Sequence, residues 1–195
     1  DNEVFILQSR RLMTNVVKQL NLTVNYSVRE GLRTADLYGR SPIEVDFIND
    51  NSKQKLSLEV TPLRNGKIEL TDFEDKFVTR QETKRVILAE YGDTVATPLG
   101  QVVVHKTLFM DSTYLKKPIT VIKNSLAATT NAYRAAVKSD VANKQASVVT
   151  ISMNNTVPRR AEDVINTLIE AYNEDAIEDK RRAVSYTHLT LPTIA

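Results

Sequence analysis

Apolar positions along this chain change their period several times, and each change marks an element. Phe5, Leu12, Met13, Val16, Val17 and Leu20 recur at three-, four- and seven-residue spacings. That spacing puts them on one face of a helix from Phe5 to Leu20, with Asn21 as its stop. Val24, Tyr26 and Val28 then alternate, the period of a strand over Thr23–Val28. A polar stretch with Gly31 and Gly39 leads to Pro42 and a second alternation, Ile43, Val45 and Phe47. The clearest local signal lies between residues 55 and 71: Leu56, Leu58 and Val60, then Asn65-Gly66, then Ile68 and Leu70. Asn-Gly favours the positive φ of a tight hairpin turn, and Pro62 cannot donate to a ladder, so the strand ends there or lies at an edge. Lys84–Glu90, Gln101–Lys106 and the short β-branched Ile119–Lys123 are further strands, with turn chemistry at Tyr91-Gly92-Asp93 and Pro98-Leu99-Gly100.

The period then becomes helical. Ser125–Val137 is Ala-rich and reads as a helix, Ser147–Met153 as a strand, and Pro158 to about Arg182 as the longest helix. Pro suits the first helical turn, where its missing N–H needs no partner, and Thr156 or Asn155 can cap. Ala161, Val164, Ile165, Leu168, Ile169, Tyr172, Ala176 and Ile177 form its apolar stripe, and the helix would run to about 37 Å. The order predicts an α+β fold: a mostly antiparallel sheet with helices packed on one side and a long C-terminal helix.

The pattern breaks at Val184-Ser-Tyr-Thr-His-Leu-Thr-Leu-Pro-Thr193, where an uncharged Thr/Leu string replaces a charged amphipathic helix. The string resembles the in-frame translation of a sequencing adapter; otherwise it is a natural β-prone tail. Residues 184–195 are therefore set apart from 1–183, the long helix is expected to be cut short by a fragment end, and His105 is the one histidine left to consider. The chain opens Asp1-Asn2-Glu3, with no basic-then-apolar leader, which also reads as a fragment.

Composition narrows the chemistry. With 195 residues the chain suits one domain, or one domain plus an appendage. Lys+Arg 26 against Asp+Glu 24 gives +2, short of the basic excess of a nucleic-acid binder. Arg10-Arg11, Arg159-Arg160 and Arg181-Arg182 are isolated pairs, not a basic stripe with interleaved aromatics. The absence of Cys excludes disulfides, thiolate metal sites and Cys nucleophiles. No run of 18 or more apolar residues appears, so no stretch of this sequence is expected to cross a membrane. No P-loop and no Gly-x-Gly-x-x-Gly is present. His105, in Val102-Val-Val-His-Lys106, has no second histidine to share a metal and reads as a solvent-facing or hydrogen-bonded strand residue. Acids gather on the long helix, where Glu170, Glu174 and Glu178 stack at i, i+4 on one face. Like charges at that spacing repel unless a positive partner neutralises them. Arg159 and Arg160 of a neighbouring copy could supply that charge. Glycosidic acid/base chemistry would need carboxylates on opposite walls of a cleft, which one helix face does not offer.

Five segments carry a resemblance: Ile6–Leu22, Arg33–Ile43, Tyr91–Gly100, Pro118–Asn124 and, most specifically, Asn155-Thr-Val-Pro-Arg-Arg-Ala-Glu-Asp-Val-Ile-Asn-Thr-Leu-Ile-Glu-Ala-Tyr-Asn173. In order they resemble the extracytoplasmic Wzz-type, or chain length determinant, domain of bacterial polysaccharide co-polymerases. The closest likeness is to Wzc-type capsular exopolysaccharide tyrosine autokinases. Ser125 stands where relatives are expected to carry Pro. The resemblance implies a parent held in the inner membrane by two flanking helices, with this domain facing the periplasm. It implies homo-oligomeric rings that set the length and export of capsular or exopolysaccharide. The implied partners are the polymerase and export machinery and the nascent polysaccharide, with no nucleic acid. ATP and Mg would belong only to a kinase domain that this chain does not contain, so no catalytic, cofactor or metal residue is expected here. The expected inter-protomer contacts are Arg159, Arg160, Glu170 and Glu174. The alternative is a soluble extracytoplasmic carbohydrate- or protein-binding module without catalytic activity.

Overall fold

The computed structural model describes residues 2–48, 54–143 and 148–189. The described elements are five helices and eleven strands, all paired antiparallel, so the α+β class and the long C-terminal helix stand as expected. The chain forms two compact units. One combines Asp1–Leu20 with Thr130–Ala195, and the other is the segment between them, Asn21–Thr129. Ser147 and residues 190–195, which carry the first position of one expected strand and the end of the expected tail, lie outside the described residues.

The middle unit is built on strands. A six-stranded sheet has the order β2 (Arg33–Asp36), β1 (Val24–Glu30), β9 (Ile119–Lys123), β4 (Leu56–Pro62), β5 (Lys67–Glu74), β6 (Ile87–Glu90). A second sheet has the order β3 (Ile43–Ile48), β8 (Gly100–Lys106), β7 (Thr94–Thr97). Alternation decides which residues meet: in β4 every second residue from Leu56 to Pro62 is buried, and in β3 Ile43 and Val45 are. Leu58, Val60, Ile68, Leu70, Ile119 and Val121 of the larger sheet share one core with Val45, Val102 and Val104 of the smaller. Two half-apolar sheets thereby cover each other's faces.

Local chemistry explains the boundaries. β4 does end at Pro62, whose carbonyl accepts from the Lys116 N–H at 2.8 Å. The hairpin to β5 uses a four-residue loop, Leu63–Gly66, with Gly66 at φ +78, where a side chain would be strained. Asp72, also at positive φ, marks a bulge: Ile68 and Leu70 are buried, and so is Phe73, one residue out of phase. β2, β7 and the four-residue α3 (Arg80–Thr83) lie in stretches that the apolar pattern leaves as loop. α3 is held by a reciprocal capping box between Thr79 and Glu82.

The other unit joins α1 (Asn2–Leu7), α2 (Arg10–Gln19), the two-stranded sheet of β10 (Val137–Asn143) and β11 (Val148–Met153), and α5 (Pro158–Leu189). α4 (Leu126–Ala136) crosses the boundary between the units. The helix expected over Phe5–Leu20 is two helices, because Ser9 turns its hydroxyl back to the Leu12 N–H (3.3 Å) and caps α2. Phe5 thereby leaves the shared face and is 73% exposed, whereas Leu12, Met13, Val16 and Val17 are buried. Asn21 adopts φ +48 just past α2, the conformation that stops a helix. Gln8 Nε2 donates to Ser139 Oγ (2.9 Å), and Arg134 Nε to the Gln8 carbonyl (3.0 Å).

Candidate functional site

The expected contact residues all lie on α5, and its start is set by Asn155. The Asn155 Oδ1 accepts from the Val157 N–H (2.9 Å), and the Val157 carbonyl receives Arg160 N (3.1 Å) and Ala161 N (3.3 Å). Pro158 follows at the first helical position, which makes Val157 the cap and Asn155 its brace. The helix passes Arg182 and Val184 and ends at Leu189 rather than near Arg182, since Val-Ser-Tyr-Thr-His-Leu contains no breaker before Pro192. The β-prone alternative for this segment does not hold up to Leu189.

The buried face of α5 is centred on Val164, Thr167, Leu168 and Ala171. Asp175 continues it one turn on, where its carboxylate takes both terminal nitrogens of Arg11, one at 3.1 Å. At 100° per residue, two ridges flank this face. Ile165, Ile169, Tyr172 and Ala176 form one, and Ile169 is 39% exposed. The expected apolar stripe is thus partly a half-exposed flank. The other ridge carries Arg159, Asp163, Glu170 and Glu174, of which Arg159, Glu170 and Glu174 are exposed.

Three of the four expected contact residues are therefore brought to one solvent-facing ridge, and Arg160 is not. This is a correction: Arg160 is only 7% exposed, because it precedes Val164 by one helical turn and its aliphatic stem falls on the buried face. Arg159, rotated by 100°, points outward. Arg159 and Glu170 are eleven residues apart, about 16 Å along the axis, too far to pair within one chain. Glu178 is paired with Arg182, one turn on.

Two other clusters belong to the middle unit. His105 Nε2 lies 3.2 Å from Asp46 Oδ2 across β3 and β8, with both side chains about half exposed or more. It is a solvent-facing strand residue, as expected, with the Asp46 carboxylate beside it. The second cluster, Glu59, Asp72 and Glu74, was not anticipated, although the phase slip between Leu70 and Phe73 is legible in the sequence. Thr120 Oγ1 donates to Glu59 Oε1 (3.4 Å) and Ser57 Oγ to Glu74 Oε2 (3.1 Å). Partial burial, and then the neighbouring Asp72, push the Glu59 carboxyl above its ordinary range. Burial also pushes the Tyr26 phenol up, to about 12, and its hydroxyl accepts the Val45 N–H at 2.9 Å; burial raises the Tyr91 phenol as well. Among the described residues no three His, Asp or Glu converge as a metal site, and no helix is long and apolar enough to cross a membrane. Compared with known proteins, the chain matches no protein-family model and no curated protein.

Proposed function

We propose that this chain is the periplasmic Wzz-type region of an inner-membrane polysaccharide co-polymerase, acting as a homo-oligomeric scaffold that sets chain length and export of capsular or exopolysaccharide. The reading starts from the resemblance of the five segments, above all Asn155–Asn173. The observation that carries it is the outward ridge of α5. There Arg159 and the Glu170/Glu174 pair sit on the same flank, about 16 Å apart and without a mutual partner in their own chain. Two parallel copies shifted by that length would set the Arg159 of one beside the acidic turn of the next. Such a contact is heterologous and can close into a ring. In this reading the chain itself does no chemistry. Its parent is a tyrosine autokinase whose ATP- and Mg-dependent domain lies elsewhere, and its partners are the polymerase, the export machinery and the growing glycan.

The test is charge reversal in the membrane-embedded parent. Glu170→Lys with Glu174→Lys should shift cross-linked species toward smaller assemblies, and adding Arg159→Glu should restore them. An unchanged oligomer distribution in the double variant sinks the reading.

A further inference from the structure

A second surface lies at one end of the middle unit, and strand register puts it there. The pair Glu30↔Arg33 closes β1 and β2 over Gly31-Leu32. Val28↔Ile119 and Val60↔Ile119 bring the start of β9, with Lys116-Lys117-Pro118 before it, to the same end. Lys67↔Glu90 adds the end of β6. Gly92 N donates to Val104 O at 2.9 Å, tying the turn after β6 to the end of β8, where the chain leaves Lys106 for Thr107–Met110. Loop tips from both sheets thus share one end of the sandwich.

The Thr107–Met110 turn is firmly built. Met110 N donates to Thr107 O (3.3 Å), Phe109 N to Thr107 Oγ1 (3.2 Å), and Thr107 N to Pro42 O (3.0 Å). Its two tip residues are Leu108, fully exposed, and Phe109, 52% exposed. Leu32, at the tip of the β1–β2 hairpin, is 98% exposed. Single exposed apolar residues are ordinary. Three at the tips of two loops on one end, with cations around them, are not. Arg33, Arg64, Lys106, Lys116 and Lys117 are exposed at this end. Lys67 is also there, paired with Glu90 at 3.8 Å, and Glu30, Asp93 and Asp111 are the remaining acids.

We propose that this end of the middle unit docks on an anionic lipid bilayer, with Leu32, Leu108 and Phe109 entering the boundary between headgroups and acyl chains. Lys106, Lys116 and Lys117 then lie at the level of the headgroup phosphates. The shape favours a bilayer over a protein. Three side chains on two separate convex tips offer roughly 400 Å² of apolar surface, about half of what each partner gives to a standard protein interface. A bilayer needs no matching relief, and combines apolar insertion with attraction between cations and anionic lipid.

The inference does not depend on the scaffold reading, and its test uses this chain alone. The purified protein is floated with vesicles of phosphatidylglycerol and phosphatidylethanolamine, or of phosphatidylcholine only. It should partition to the anionic vesicles at least tenfold better than to the neutral ones, and lose that preference in high salt. Leu32→Ser, Leu108→Ser and Phe109→Ser together should weaken partition at least tenfold, and Lys116→Glu with Lys117→Glu should remove the anionic preference. These side chains are exposed, so the variants should melt like the parent chain. Leu108→Trp adds an independent reporter, since the sequence has no other Trp, and its emission should shift to the blue on anionic vesicles. No flotation at millimolar lipid, equal flotation of the triple Ser variant, or an unshifted Trp spectrum overturns the proposal. So would a change in the lipid-free oligomeric state caused by the Ser substitutions, which would make the tips a protein contact.

Discussion

Glu174→Lys should stabilise the isolated chain while weakening its proposed assembly, an opposition that few surface substitutions produce. Glu174 is exposed, with Glu170 one turn before it and Glu178 one turn after. An i, i+4 pair of like charges costs, and one of opposite charges contributes, about 0.2–0.5 kcal/mol. Reversing Glu174 removes two repulsive pairs and creates two attractive ones, with Glu170 ahead of the new Lys in the better orientation. The sum is about 1 kcal/mol, read as a rise of about 2–4 °C in melting temperature for a chain of this size. Thermal unfolding followed by circular dichroism, at low salt and in 1 M NaCl, is the assay. The gain should shrink in salt, where the screening length falls to about 3 Å. A lower melting temperature, or a gain that survives the salt, would refute the reasoning, because Glu174 would then be packed or bonded in a way its exposure denies.

Three further outcomes are expected. Leu168→Ala, at a fully buried position of α5, should cost about 2–5 kcal/mol in urea unfolding. Amide exchange should speed up in α2 and α5 while β4 and β5 keep their protection, and equal loss in both units would refute the division. Tyr26→Phe removes the acceptor of the Val45 N–H and should cost about 1–3 kcal/mol. The stability from the neutral Tyr26 phenol is fully present below pH 10 and fades as pH rises toward about 12, so ultraviolet titration of the parent chain should show a tyrosine ionising near pH 12 that the variant lacks. The raised Glu59 carboxyl contributes stability below its ordinary value of 4.5 and loses it as pH rises through the raised value. Glu59→Gln should therefore gain on the parent chain between pH 4 and pH 7, and a melting difference that stays constant over that range would count against it.

The sequence was most readable where one signal dominated. Ile119–Lys123 occupies the expected residues, the Asn65-Gly66 hairpin lies between the expected strands, and Pro158 opens the long helix. Elements without an apolar period were harder to see. β2 is a polar edge strand, held by pairing with β1 rather than by burial of its own side chains, and β10 follows the Ala-rich α4 with no break in composition. A capping hydroxyl at Ser9 outweighed a continuous apolar face. On α5 the i, i+4 acids announced an exposed ridge, but adjacent arginines could not be told apart. Periodicity gives the phase of a helix against itself, not against its neighbours, so Arg159 and Arg160 looked alike. Leu32, Leu108 and Phe109 had no periodic signal, because loop tips obey none.

One consequence of the chain's division concerns the order of folding. The unit made from the two ends of the chain cannot assemble until Leu20 and Thr130 are brought within reach, and closing so long a loop costs entropy that grows with its length. The middle segment removes that cost when it folds. Its first and last strands, β1 and β9, are neighbours, with Val24 paired to Lys123 and Asn124 N donating to Thr23 O at 2.8 Å. It behaves as a self-closing insertion, able to fold first during synthesis and to hand its host two termini already side by side. The same geometry makes it detachable: a short linker in place of Asn21–Thr129 should leave a host that folds.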